Sequence, residues 1–208
     1  MRSSSWRQAR LLCVDVELTG LNVEVDEVIA FGAVPIEGGR ILAGGALHGV
    51  VRPLATRPGP VEIHGILPDD LADAEPPEQA LVPLAQAISG CTAIAHAAWV
   101  ERAFLGPALR RAGGRLPRKI LDTAMLWRLL AVVRDGHDPG YRPLSEITEA
   151  LGLPSHHPHE ALGDALTTAQ VFLALATHLE ALGLGRMRDL HAAGRRVETH
   201  RMLNGHRA

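Results

Sequence analysis

Two acids stand two residues apart in the run Leu11-Leu12-Cys13-Val14-Asp15-Val16-Glu17-Leu18-Thr19-Gly20-Leu21. Its apolar and β-branched residues read as a buried strand, and side chains i and i+2 of a strand leave the same face. Burying Asp15 beside Glu17 is costly unless a cation shares them. A pair of hard oxygen donors on a rigid strand suits Mg²⁺ or Mn²⁺. Thr19-Gly20 ends the strand where backbone can come close to a ligand. The plainer alternative is that both acids reach solvent at a strand end.

Three further residues could take part in the same chemistry. Glu101 falls in the first turn of a helix that follows a strand ending at His96. Asp164 lies in the first turns of a long helix, and His159 comes five residues earlier, just after Pro158, which marks that helix's start. Five residues turn about 140° around a helix, so His159 can face Asp164 only from a loop or a fraying first turn. Taken singly, each has a duller role: an acid complementing a helix dipole, or a capping histidine. A zinc reading of His156, His157 and His159 lacks a cysteine or a second histidine pair at ligand spacing.

The elements that must position these residues alternate between strands and helices. Strands are predicted over about 10–17, 27–36 and 40–51, the last two joined by Glu37-Gly38-Gly39-Arg40, a hairpin signal that makes them antiparallel. Residues 52–60, with Pro53, Pro58 and Pro60, form a loop. A helix over 78–89, a strand over 92–96 and a helix over 98–112 follow, the last closed by Gly113-Gly114. Ile120-Leu121 is a brief strand, capped into a helix that runs to Val132. After a polar loop at 134–143 come a short helix over 144–151 and the longest one over 159–182. This order implies an α/β layer fold.

Composition sets the outer bounds. A chain of 208 residues, 47% hydrophobic and 21% charged, reads as soluble and globular. A net charge of −2 excludes a histone-like basic binder but allows a local basic groove. Arg102, Arg110, Arg111, Arg115, Arg118 and Lys119 form one basic cluster. Cys13 and Cys91 read as free, buried thiols of a reducing compartment. No secretory h-region fits between Arg10 and Asp15, and Pro83, Gln86, Ser89, Gly90 and His96 interrupt the most apolar stretch, so a cytoplasmic protein without a membrane partner is expected. Residues 1–8 look like a loose polar end. Beyond Gly183 the chain is Arg- and His-rich, read as a terminal helix or tail.

In order, these motifs resemble the DEDDh 3′–5′ exonucleases, the DnaQ-like proofreading enzymes and their RNA-trimming relatives. Asp15-Val16-Glu17-Leu18-Thr19-Gly20 is similar to the family's D-x-E-x-T-G motif. His96-Ala97-Ala98-Trp99-Val100-Glu101, followed by Phe104-Leu105, resembles H-N-A-x-F-D with F-L, and His159-Glu160-Ala161-Leu162-Gly163-Asp164-Ala165 resembles H-x-A-x-x-D-A. Ile63-His64-Gly65-Ile66 and Leu121-Asp122-Thr123 also have counterparts there.

The resemblance implies an RNase H-like fold, a five-stranded mixed sheet flanked by helices, with an exonuclease domain over 9–182 and the tail over 183–208. It implies two Mg²⁺ or Mn²⁺ ions. Asp15 would bridge them, Glu17 and Asp164 would complete one site, and Glu101 would support the other. His159 would be the general base, and Leu18, Thr19 and His64 would line the terminal-nucleotide pocket. Expected substrates are single-stranded DNA or RNA 3′ ends; a homodimer, a polymerase or another protein partner stays open. The chain departs from the pattern at Ala97 for Asn, Val100 for Phe, Ala30 for a frequent Glu, and Glu101 for Asp, which moves the carboxylate by about one bond length. A catalytically weakened or inactive nucleic-acid-binding module is the alternative.

Overall fold

The computed structural model describes residues 4–54 and 59–204. Part of the expected loop at 52–60, the first three residues of the expected loose end, and residues 205–208 lie outside that range. Six strands form one mixed sheet: β1 (Leu11–Leu18), β2 (Val28–Glu37), β3 (Arg40–Ile41), β4 (Leu47–Val50), β5 (Thr92–Ala95) and β6 (Ile120–Asp122). The order is β3-β2-β1-β5-β6, with β4 also paired to β2. β2 runs antiparallel to β1, while β5 and β6 are parallel to it and to each other.

The helices are α1 (Val61–His64), α2 (Pro68–Asp73), α3 (Pro77–Ala80), α4 (Val82–Ile88), α5 (Gly106–Arg111), α6 (Thr123–Asp135), α7 (Leu144–Ala150), α8 (Ala161–Ala181), α9 (Met187–Leu190) and α10 (Ala193–Asn204). No helix among the described residues is long and apolar enough to cross a membrane.

The fold is α/β as expected, with six strands rather than five. The single strand expected over 40–51 is broken: β3 and β4 are separated by a 3₁₀ turn at Ala43–Gly45, where two glycines weaken strand pairing. The hairpin is as expected, with Glu37 opposite Arg40 and Gly38 and Gly39 both at positive φ (59° and 75°). Pro83 lies in the expected helix over 78–89, which forms as α3 and α4 joined at Leu81.

The sheet divides the core in two. Leu12, Val14 and Val16 face α4 and the helix over Phe104, Leu105 and Leu109. Leu11 and Cys13 face the other way, against Val34, Ile36, α6 and α8. Asp15 and Glu17 continue this second stripe by strand alternation.

The loose-end reading of residues 1–8 is corrected from Ser4 onward. Trp6 is 1% exposed and packs edge-to-face on Phe172, with ring centroids 5.7 Å apart. The Arg7 guanidinium covers the other part of the indole at 4.3 Å. Backbone bonds from Trp6 N–H to Gly185 O (3.2 Å) and from Met187 N–H to Ser4 O (3.0 Å) clip this segment to the stretch after α8. The Arg-rich end forms α9 and α10, and Met187, Leu190, Ala193 and Val197 join the same core as α6 and α8. Apolar residues at helical spacing decide for docked helices over a tail. Cys13 is buried as expected, whereas Cys91 is only partly buried and sits in the turn before β5.

Candidate active site

Asp15 pairs in register with Gly32, and Glu17 with Ala30. Opposed residues of an antiparallel pair project from the same face, so the acids have the two smallest side chains as neighbours. A Cβ on Gly32 would lie 2.2 Å from the Ala161 carbonyl oxygen. The bare glycine therefore lets the first turn of α8 settle onto β2 beside Asp15. Gly163, in the same first turn of α8, lets the loop at 156–157 close onto the helix, since a Cβ there would lie 2.2 Å from the His156 carbonyl oxygen. This packing brings Asp164 to the strand acids. Carboxylate oxygens of Asp15, Glu17 and Asp164 lie within 4.8 Å of one another, a group that could hold a metal ion.

The electrostatics are those of a site short of positive charge. Burial, then the charges of Glu101, Asp164 and Glu17, push Asp15 well above the carboxylate range. Burial and Asp164 raise Glu17 to about 7. Asp164 is raised by burial, opposed by the His159 backbone N–H that it accepts at 3.0 Å. A cation in the cluster would reverse these shifts.

Glu101 is not within the 4.8 Å group, but its charge is felt at Asp15. It is 1% exposed, burial raises it to about 8, and its Oε2 has no hydrogen-bond partner among the described residues. A buried carboxylate oxygen without a donor is what a bound cation or its water would satisfy. Glu101 opens a π-helical turn, Glu101–Leu105, closed by Gly106 N–H to the Glu101 carbonyl. Pro107, next in the chain, has no N–H to give the Ala103 carbonyl, so the α-helical ladder cannot run through this point.

Asp122 fixes the turn that leads to Glu101. Its carboxylate accepts the N–H groups of Ala97 (3.2 Å), Ala98 (3.0 Å) and Ala124 (2.9 Å), which caps α6 and ties it to the end of β5. Ala97 has φ 56°, a left-handed conformation that alanine seldom adopts and asparagine tolerates better. Only Leu121-Asp122-Thr123 hinted at this support in the sequence.

The remaining expected residues divide. His159 lies outside α8, exposed, with φ 65°. A cavity of about 170 Å³ opens between Glu17, His48, His64, Ile66 and His159. The Ile66 N–H donates to His64 Nδ1 at 3.1 Å, so the neutral ring carries its proton on Nε2. His48, on β4, was not singled out in the sequence; only its place on a strand next to β2 reveals it. Leu18 is buried in the core cluster on the far face. The Thr19 hydroxyl donates to Asp26 (2.9 Å) and accepts the Glu27 N–H (3.0 Å), closing the 19–27 loop.

A protein-family model described as Exonuclease (RNase_T) matches residues 12–172. The chain is 30% identical over 191 residues to the PolC-type DNA polymerase III of Thermotoga petrophila, covering 90% of this chain and 13% of that protein. It is 30% identical over 194 residues to the 3′-5′ exonuclease DinG of Bacillus subtilis, covering 92% and 20%. It thus spans a fifth or less of the length of these two relatives. Among solved structures, the nuclease domain of 3′hExo, a DEDDh family member bound to rAMP, superposes with a TM-score of 0.68 at 18% identity, covering 88% of this chain and 97% of that one. With the family model spanning β1 to α8 and the acids gathered on one sheet face, the chain belongs to the exonuclease family.

Proposed function

We propose that this chain is a divalent-metal-dependent 3′–5′ exonuclease that releases nucleoside monophosphates from single-stranded DNA or RNA ends. The observation that carries it is the convergence of Asp15, Glu17 and Asp164 within 4.8 Å, with Glu17 at the wall of an open cavity. Asp15, Glu17 and Asp164 would hold one Mg²⁺ or Mn²⁺, and Asp15 with the unpartnered Glu101 oxygen would hold a second. Such ions, when bound, neutralise the phosphodiester and stabilise the attacking and leaving oxygens.

The chain's own groups do the rest. His159 stands on the cavity wall, its backbone fixed by Asp164, where its ring can accept a proton from the attacking water. The His64 Nε2–H is a donor for the terminal nucleotide. Leu18 and Thr19 contribute backbone at the strand end, since their side chains are engaged elsewhere. The likeness to a PolC-type polymerase supports a polymerase as partner.

The test is digestion of 5′-labelled single-stranded DNA and RNA oligomers with Mg²⁺ or Mn²⁺. Stepwise shortening from the 3′ end is expected, abolished in Asp15→Ala and slowed about 10²- to 10⁴-fold in His159→Ala. Binding without shortening under both metals would leave a nucleic-acid-binding module instead.

A further inference from the structure

We propose that Trp99 and Tyr141 form a stacking platform for unpaired bases upstream of the 3′-terminal nucleotide, an inference that rests on the exonuclease reading. The chain has only seven aromatic residues: three Trp, one Tyr and three Phe. Trp6, Phe31, Phe104 and Phe172 are buried, and Trp127 packs against the core. Trp99 and Tyr141 alone are turned outward, 52% and 59% exposed. A scattered exposed aromatic needs no explanation, but these two border the same turn.

Trp99 precedes Glu101 by two residues in the turn that Asp122 holds through the Ala97 and Ala98 N–H groups. Tyr141 lies against His96, the residue that starts that turn, with ring centroids 5.9 Å apart and planes tilted by 51°. His96 is itself fixed, its ring nitrogens 2.9 Å from Thr123 Oγ1 and 3.1 Å from the Arg142 carbonyl. The loop carrying Tyr141 is clamped at Asp138, which accepts Arg128 Nε (2.9 Å), Arg128 Nη2 (2.6 Å) and the Gly140 N–H (3.0 Å). Both rings are thus presented by anchored backbone, which lowers the ordering cost of a ligand. Exposed Arg102, next to Glu101, offers a cation to the phosphates. An exposed aromatic pair with a cation, bordering the turn that leads to Glu101, fits single-stranded bases better than any apolar partner.

The experiment measures binding of an eight-residue oligomer, with EDTA to stop cleavage, and of the same oligomer lacking the bases 5′ of the terminal residue. Trp99→Ala and Tyr141→Ala should each raise the Kd of the intact oligomer about 5- to 150-fold, the range for one lost base stack. Trp99→Phe should recover most of the loss. The abasic oligomer should bind the wild type and both variants alike, because no base remains to stack. Unchanged Kd for the intact oligomer in both alanine variants would overturn the platform. Wild-type shortening of oligomers, run in parallel with metal, separates the two ideas: shortening with unchanged Kd defeats the platform alone, and no shortening defeats the exonuclease reading and the platform with it.

Discussion

Replacing Glu101 by Gln removes a charge while keeping the shape of a side chain that is 1% exposed. Burial moves the carboxyl from its ordinary 4.5 to about 8. The folded protein therefore holds this proton more tightly than the unfolded chain does. Stability is fully present below about pH 4.5 and is lost as pH rises towards 8. At about 1.4 kcal/mol per pH unit the full loss approaches 5 kcal/mol, of which about 1 kcal/mol is already felt at pH 5. Water admitted by local relaxation lowers the realised figure. Urea unfolding in EDTA should thus show Glu101→Gln gaining about 2–4 kcal/mol on the wild type between pH 5 and pH 9. Adding Mn²⁺ at about a hundred times its Kd should return about 2.7 kcal/mol to the wild type and less to the variant. A stability difference that stays flat from pH 5 to pH 9 would refute the idea that Glu101 is an uncompensated buried acid awaiting a cation.

Gly32→Ala would press a methyl into the Ala161 carbonyl, which as backbone cannot step aside. Lifting the start of α8 should cost about 1–3 kcal/mol in urea unfolding and, by displacing Asp164 about 1 Å, about 10²-fold in nuclease rate; wild-type rate and stability together would disprove the close-approach argument. Trp6→Ala should lose about 3–5 kcal/mol of unfolding free energy, and a loss under about 1 kcal/mol would show that the segment before β1 is not part of the core.

Much of the architecture was legible because alternation along β1 and apolar spacing along α8 each obey one period. The same alternation placed Asp15 and Glu17 on one face, whereas the helix expected to start at 159 begins at Ala161 and leaves His159 outside it. What sequence could not reveal depends on contacts between distant segments. Gly32 reads as a weak point in a strand until α8 is seen resting on it. Trp6 follows five polar or terminal residues and looks solvent-bound until Phe172 and Gly185 arrive. The Thr19 hydroxyl matched a motif, yet its partners Asp26 and Glu27 come from a loop whose closure no period encodes. Position 101 could be recognised as acidic, but its π turn depends on a proline six residues later.

That proline has a consequence for how this stretch can change. An added residue in one turn shifts the helix's phase by about 100°, so the face carrying Glu101 and the face carrying Leu105 and Leu109 are set independently. Substituting Pro107 alone would let the ladder close as α-helix, and the two faces could not then both keep their places. Either Glu101 would swing away from Asp15 or the apolar pair would leave the core. A lineage that lost the proline would keep both only by shedding one residue between the acid and position 107, making substitution and deletion a linked pair.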